Sequence, residues 1–154
     1  MARYGCRWRK DWDDQALTPF TDRVDLIRGI IEHAPAGPFD GATCLLTLHH
    51  LDRNERLRTL KGIRRRLGPG ARLVVAEHSA PGSDPERGMA HSVAFGDREG
   101  PDWAKAAATS RMTIERLPLL TPAEEEDMLR GAGFTDVELY YAAFSFRGWV
   151  GTAG

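Results

Sequence analysis

The chain has 154 residues, of which 42% are hydrophobic and 28% are charged, enough for one globular domain with its own core but not for two. Its 21 Lys and Arg residues nearly balance 22 Asp and Glu residues. The resulting net charge of -1 excludes a global basic field that would bind nucleic acid or anionic membranes through charge alone.

Membrane and secretory classes are excluded by the pattern of apolar residues. No apolar stretch approaches the roughly 18 residues of a membrane span, and the N-terminal MARYGCRWRKDWDD has no signal-peptide core. Only Cys6 and Cys44 are present, and Cys44 lies inside an apolar run, as expected for a buried thiol in a reducing compartment. We therefore predict a cytoplasmic protein without a membrane partner.

The first half of the chain is predicted to form strands around a helix. RVDLI, residues 23–27, alternates polar and apolar residues, and GATCLLTL, residues 41–48, is typical of a strand covered on both faces. Asp52 and Glu55 then form a capping-box pattern at the start of an apolar helical stripe. After a Gly-Pro-Gly turn, ARLVVAEHSA at 71–80 is another buried strand. Strand, helix and strand with short connections predict a parallel crossover and an α/β fold.

The second half is predicted to contain a loop, two helices and a strand pair. Residues 81–100 are rich in Gly, Pro, Asp and Ser, which predicts a loop that has room for a short helix from Pro85. A helix is predicted over 102–116, with Trp103, Ala107, Ile114 and Leu117 on its buried side. Further expected elements are a helix capped by Thr121 and Glu124, with Pro122 at its first position, and an antiparallel pair at 134–141 and 144–150.

Three phrases of the sequence resemble consecutive parts of class I S-adenosylmethionine-dependent methyltransferases. FDGATCLLTLHHL resembles the fourth strand of that family, and LKGIRRRLGPGARLVVAEHS resembles the following helix, turn and fifth strand. TPAEEEDMLRGAGFTDVELYYAAFSFRGWV is similar to the last helix and the sixth and seventh strands. Within that family, the sequence of these phrases is most similar to methyltransferases that resemble the wobble-uridine tRNA modification enzymes. The resemblance implies a Rossmann-like, mostly parallel sheet with a C-terminal antiparallel strand pair, and S-adenosylmethionine as cofactor.

The resemblance covers about residues 22–150 and omits the front of the family domain. Family members begin with a strand, a G-x-G-x-G loop, a helix and a second strand, whereas residues 1–22 contain no G-x-G. One strand-helix-strand unit alone needs about 30 residues. We therefore expect an atypical segment at 1–22 and an N-terminally incomplete methyltransferase-like domain at 23–154, through a start-site error, a frame error or a deletion.

Three functions remain open. The first is methyl transfer to an unknown acceptor, either tRNA or a small molecule. The second is a catalytically inactive Rossmann-like fragment that acts as an interaction module. The third is a homodimer, in which a second copy covers a sheet edge left open, with apolar surface near Leu45, Leu73 and Val75.

Ligands of open parallel sheets bind beyond the carboxyl ends of the strands, which here are followed by residues 29–32, 46–50 and 77–79. The resemblance implies that two isoleucines flank the adenine ring and that two leucines end the fourth strand, with backbone carbonyls facing the cofactor's amino group. Glu32 substitutes for the family's Asp or is merely solvated. His50 lines the cofactor or acceptor pocket or only bonds a neighbouring carbonyl. These cofactor-binding candidates are Ile30, Ile31, Glu32, Leu45, Leu46 and His50.

No catalytic residue is assigned. Methyl transfer from a sulfonium needs positioning and exclusion of water, and a general base is optional. His49, His78 and Glu77 are candidates for a base by position only. No metal site is predicted, because adjacent histidines in an extended chain point to opposite faces and no ligand pair has a standard spacing.

Two other groups of residues have a structural and a functional interpretation. Arg64 to Arg66, with Lys61, could contact an RNA backbone but more simply form a solvated helix end. The pairs Tyr140 with Tyr141 and Phe144 with Phe146 are interpreted as sheet core rather than as a platform for stacked bases.

Overall fold

A computed structural model describes residues 27–80, 82, 84–98 and 100–154. Within these residues, four strands form one sheet, in the order β1 (Phe39–Leu45), β2 (Leu67–His78), β4 (Phe146–Ala153) and β3 (Phe134–Ala143). The segment at 1–22 and all but the last residue of the strand expected at 23–27 lie outside the described residues. In the described part of the chain, no helix is both long enough and apolar enough to cross a membrane.

The predicted parallel crossover is confirmed. Strand β1 (Phe39–Leu45) pairs in parallel with β2 (Leu67–His78), and helix α1 (Arg53–Arg64) connects them. β1 ends three residues earlier than expected because Leu46 has a φ of 55°, a left-handed conformation that a strand cannot contain. A short 3-10 helix, Leu48–His50, follows.

The N-terminus of α1 is fixed by the capping box that the sequence predicts. The Asp52 carboxylate accepts hydrogen bonds from the backbone N–H groups of Asn54 and Glu55, both at 2.8 Å. The Glu55 carboxylate accepts from the Asp52 N–H at 3.3 Å. Further along α1, Leu60 and Ile63 are buried in the core. Local hydrogen bonding therefore starts the helix, and an apolar face anchors it to the sheet.

Two helices follow β2. The first of them lies in the segment 81–100, for which the sequence predicts mostly loop. Helix α2 (Pro85–Gly96) has 12 residues, and helix α3 (Trp103–Arg116) packs against it. The predicted buried face of α3 is wrong in part, because Trp103 is exposed while Ala106 and Ser110 are buried. Small side chains let the two helices approach closely, and the Ser110 hydroxyl donates to the Glu86 carbonyl at 2.7 Å.

The C-terminal part is the predicted helix and antiparallel pair. Helix α4 (Pro122–Gly131) leads to β3 (Phe134–Ala143) and β4 (Phe146–Ala153). β4 also pairs antiparallel with β2, with Phe146 opposite His78. The described sheet thus has one parallel and two antiparallel pairs, and β2 lies in its interior.

Burial corrects two expectations about apolar side chains. Leu73 and Val75 are buried rather than exposed, because they belong to the core that also contains apolar residues of α1 and of the C-terminal part of the chain. Leu45 is 51% exposed, as expected. Tyr140 and Tyr141 are not core residues, since about half of each side chain is exposed on β3, which lies at an end of the strand order.

Candidate functional site

The carboxyl ends of β1 and β2 lie side by side, and we call this end of the sheet, with Leu45, Leu46 and His50, the edge. Leu45 and Leu46 expose about half of their side chains there, at 51% and 48%. Leu46 donates its N–H to the Ala76 carbonyl at 2.8 Å, which holds the left-handed turn against β2. The Thr47 hydroxyl donates to the Leu45 carbonyl at 3.0 Å. This edge therefore presents two apolar side chains on a fixed backbone.

The candidates at Ile30, Ile31 and Glu32 lie in a separate turn. Ile30 is 63% exposed, whereas Ile31 is partly buried and packs against Gly62 of α1, where an added Cβ would lie 2.9 Å from the Ile31 side chain. The Glu32 carboxylate lies 3.8 Å from the Arg58 guanidinium in an exposed ion pair. The structure thus places Ile30 toward solvent and engages Glu32 with α1.

The histidines after the two parallel strands converge, as their positions predict. The His49 ring lies 4.3 Å from the His50 ring and 5.2 Å from the His78 ring, measured between centroids. The His78 backbone N–H donates to His49 Nδ1 at 3.4 Å. Of the three, His49 is buried and His50 is exposed. His50 is therefore the imidazole of this cluster that a ligand at the edge could reach.

A buried cluster of charged residues, which the sequence analysis did not predict, lies beside His49. Arg56 of α1 forms a hydrogen-bonded ion pair with Glu125 of α4 and donates to the Pro118 carbonyl at 3.1 Å. Glu77 of β2 lies 3.9 Å from the Arg56 guanidinium and 3.8 Å from His49 Nδ1. The available signal was a charge within an apolar stripe, because Arg56 precedes the buried Leu60 and Ile63 at helical spacing.

Burial controls the protonation of this cluster. Desolvation, together with the charge of Glu125, raises the pKa of Glu77 well above 4.5, and burial also raises the pKa of Glu125. Burial and the neighbouring His50 lower the pKa of His49 to about 3 and also lower the pKa of His78. His49 is therefore neutral near pH 7, and its contact with Glu77 is not an ion pair in that range.

Hydrogen bonds between hydroxyl groups and His78 tie the end of β2 to the turn between β3 and β4. His78 Nδ1 lies 2.9 Å from the Ser145 hydroxyl, which lies 2.6 Å from the Ser92 hydroxyl of α2. The Ser79 N–H donates to the Ser145 carbonyl at 2.9 Å. The edge of the sheet, α2 and this turn therefore form one hydrogen-bonded unit. Among the described residues, no group of three or more His, Cys, Asp or Glu side chains is placed to hold a metal ion.

Solved structures with the same fold include methyltransferases. No protein-family model matches the sequence, and no curated protein matches it significantly. PigF with SAH has a TM-score of 0.61 and 22% identity, and human N-acetylserotonin methyltransferase in complex with SAM has a TM-score of 0.61 and 19% identity. The chain has a methyltransferase fold. An O-methyltransferase family 2 protein of Planctomyces limnophilus, in complex with apigenin, gives a TM-score of 0.61 at 19% identity.

The methyltransferase fold described here corresponds to part of each of these proteins. The three alignments cover 91%, 93% and 92% of this chain but only 38%, 37% and 38% of the other chains, in the order given. The match confirms the α/β fold that the three sequence phrases imply. In such a fold the edge formed by Leu45, Leu46 and His50 is the side of the sheet where ligands bind.

Proposed function

We propose that this chain contributes one side of an S-adenosylmethionine site in a methyltransferase. The observation that carries the proposal is the edge itself, where adjacent parallel strands end and Leu45 and Leu46 are half exposed beside His50. Structures of this fold crystallised with SAH and SAM support the choice of cofactor.

The side chains at this edge suit the adenosine part of the cofactor. Leu45 and Leu46 at the edge, and Ile30 in the separate turn, are large apolar side chains exposed to water, and stacking against a purine would bury them. The Leu45 carbonyl accepts from Thr47 and retains a second lone pair for an amino group. Glu32 lies beside Arg58, so an acceptor role for its carboxylate would compete with that ion pair. The cofactor supplies an activated methyl group, and these residues would orient it and exclude water.

The histidine cluster supports positioning rather than proton abstraction. His49 is buried and has a pKa of about 3, which makes it a poor base near neutral pH. Glu77 is 1% exposed and cannot contact an acceptor directly. His78 is held by Ser145 and also has a lowered pKa. We therefore infer that His49 and Glu77 do not act as the general base, and that His50 is the imidazole that contacts the bound molecules.

A small-molecule acceptor fits the described surface better than tRNA. Arg64 donates to the Gly133 carbonyl at 3.1 Å, and Arg66 donates to the Gly62 carbonyl at 2.9 Å. Two of the basic side chains that could follow an RNA backbone are therefore engaged within the chain. The solved structure with apigenin also supports a small acceptor. The burial of the Cys44 thiol fits the proposed cytoplasmic location.

Binding of S-adenosylmethionine can be mapped on the methyl groups of this chain. With Ile and Leu methyl groups labelled for NMR, addition of the cofactor should shift the signals of Ile30, Leu45 and Leu46 and leave those of the core residues Leu60 and Leu129 unchanged. S-adenosylhomocysteine should give the same pattern, because it retains the adenosine part. Shifts confined to other surfaces would contradict the proposed site.

Replacing His50 tests its role at the same edge. In a protein with the N-terminal half of the domain restored, we expect His50→Ala to weaken S-adenosylmethionine binding about threefold to tenfold, the loss of roughly one hydrogen bond, while the fold stays intact because His50 is exposed. Glu138→Ala, at an exposed position of β3, is the matched control and should bind normally. Equal affinities for the two variants would show that His50 does not contact the cofactor.

A further inference from the structure

A pocket of about 350 Å³ lies outside the proposed cofactor edge. Its walls come from α2, the start of α3 and the turn between β3 and β4. We call it the aromatic cage, and its characteristic residues are His91, Phe95, Asp97, Trp103 and Phe144. None of these belongs to the cofactor-binding residues proposed above.

The rings of the cage are inclined to one another instead of stacked. The His91 ring is 5.3 Å from Trp103 and 5.6 Å from Phe144, at interplanar angles of 62° and 66°. Phe95 is 5.7 Å from Phe144 at 49°. Phe95 is 81% exposed, Trp103 55% and Phe144 43%. Much of this aromatic surface therefore faces water, and a cluster of exposed large apolar side chains marks a binding surface.

The backbone that carries Phe144 is held in an uncommon conformation. Phe144 has a φ of 54°, which is disfavoured for a bulky residue. The next residue, Ser145, donates its N–H to the Ser92 hydroxyl at 3.2 Å and its carbonyl accepts from Ser79. These bonds fix the turn, so the Phe144 ring is positioned before any ligand arrives. Strained backbone maintained by its surroundings is typical of functional sites.

Asp97 adds a negative charge to the aromatic walls. Its side chain is 21% exposed and lines the cage, and its Oδ2 lies 3.3 Å from the Lys105 ammonium. The Lys105 side chain is 64% exposed, so this ion pair is screened by water. A carboxylate therefore lies at a pocket whose other walls are the four rings together with Ala94 and Pro101.

We propose that the aromatic cage binds an organic ammonium group, such as that of an alkylated amine. Ring faces attract cations through their quadrupole, and the carboxylate adds a direct charge. Because Ser145 also bonds His78, the cage adjoins the sheet edge, and its ligand would be the charged end of the methyl acceptor. That last role rests on the proposed function, whereas cation binding does not.

Choline and its uncharged isostere 3,3-dimethyl-1-butanol test the charge requirement directly. We expect choline to shift the Trp103 indole signal in NMR and to bind about tenfold more tightly than the isostere. Trp103→Leu should lower choline affinity about threefold to thirtyfold, and the fold should persist because Trp103 is exposed. Equal affinity of the two probes, or no binding of choline at concentrations where the isostere binds, would overturn the proposal.

Two variants of one ion pair provide opposite predictions. Asp97→Asn should weaken choline binding severalfold, and Lys105→Met should strengthen it, because Lys105 competes for the same carboxylate. Neither variant should change binding of the isostere. A change in the same direction for both variants would contradict the proposed role of Asp97. S-adenosylmethionine titrations of these variants report separately on the cofactor edge, so failure of one site is distinguishable from failure of the other.

Discussion

The chain of 154 residues should bind S-adenosylmethionine no more tightly than about 1 mM. The residues proposed for the site, around Ile30 and at Leu45 and Leu46, supply an apolar wall and a strand end. The sequence contains no G-x-G-x-G loop, which in the resembled family approaches the methionine end of the cofactor. Loss of two or three hydrogen bonds, at roughly 1.5 to 3 kcal/mol each, weakens binding by several powers of ten.

A fusion provides the matched comparison. The same residues joined behind a strand, G-x-G-x-G loop, helix and strand from a methyltransferase should bind S-adenosylmethionine with a Kd in the micromolar range. Titration calorimetry on the two proteins gives both affinities. Micromolar binding by the chain alone would show that residues 1–26 supply contacts equivalent to the loop. A fusion that folds but does not bind would refute the methyltransferase assignment.

Arg56→Met should lower the free energy of unfolding by about 3 to 5 kcal/mol. Arg56 is fully buried between Glu125 and Glu77, so its removal leaves buried carboxyl groups without their cation. Arg53→Met is the matched control, because Arg53 lies on the same helix and pairs with Glu124 at an exposed position. That variant should cost less than about 1 kcal/mol, as expected for a surface ion pair. Denaturant unfolding measures both, and equal losses would contradict the role assigned to Arg56.

The pH dependence of the free energy of unfolding tests whether the pKa of Glu77 is raised in the folded state. The pKa of Glu77 is raised in the folded state, so below pH 4.5 the carboxyl is protonated in both states and costs nothing. As pH rises above 4.5, the unfolded state ionises first and the wild-type protein loses stability. Glu77→Gln should therefore be more stable than wild type near neutral pH and equal to it in acid. An advantage that appears only in acid would mean that the pKa of Glu77 is lowered instead.

Local signals in the sequence determine the elements that need only neighbouring residues. The capping boxes at Asp52 and Thr121 predict the starts of α1 and α4, because side chain and backbone partners are three residues apart. The apolar runs also predict the parallel pair of β1 and β2. The cover on both faces that the run at 41–48 predicts is wrong for β1, where Thr43 and Leu45 are exposed. The meeting of His49 with Glu77 and His78 follows from that pairing, because parallel strands end at one edge.

The tertiary structure decides what depends on distant residues. Arg56 meets Glu125 across 69 positions, and a helical stripe alone does not reveal which charge will be buried beside it. β1 stops at Leu45 because Leu46 bonds to Ala76 in a left-handed turn, against the apolar pattern that continues to Leu48. The aromatic cage combines α2, α3 and the β3–β4 turn, whose rings are unremarkable in their own segments. Such contacts form only when folding brings remote segments together, so the sequence determined the parallel framework, and the packing of these segments decided the aromatic cage and the buried cluster.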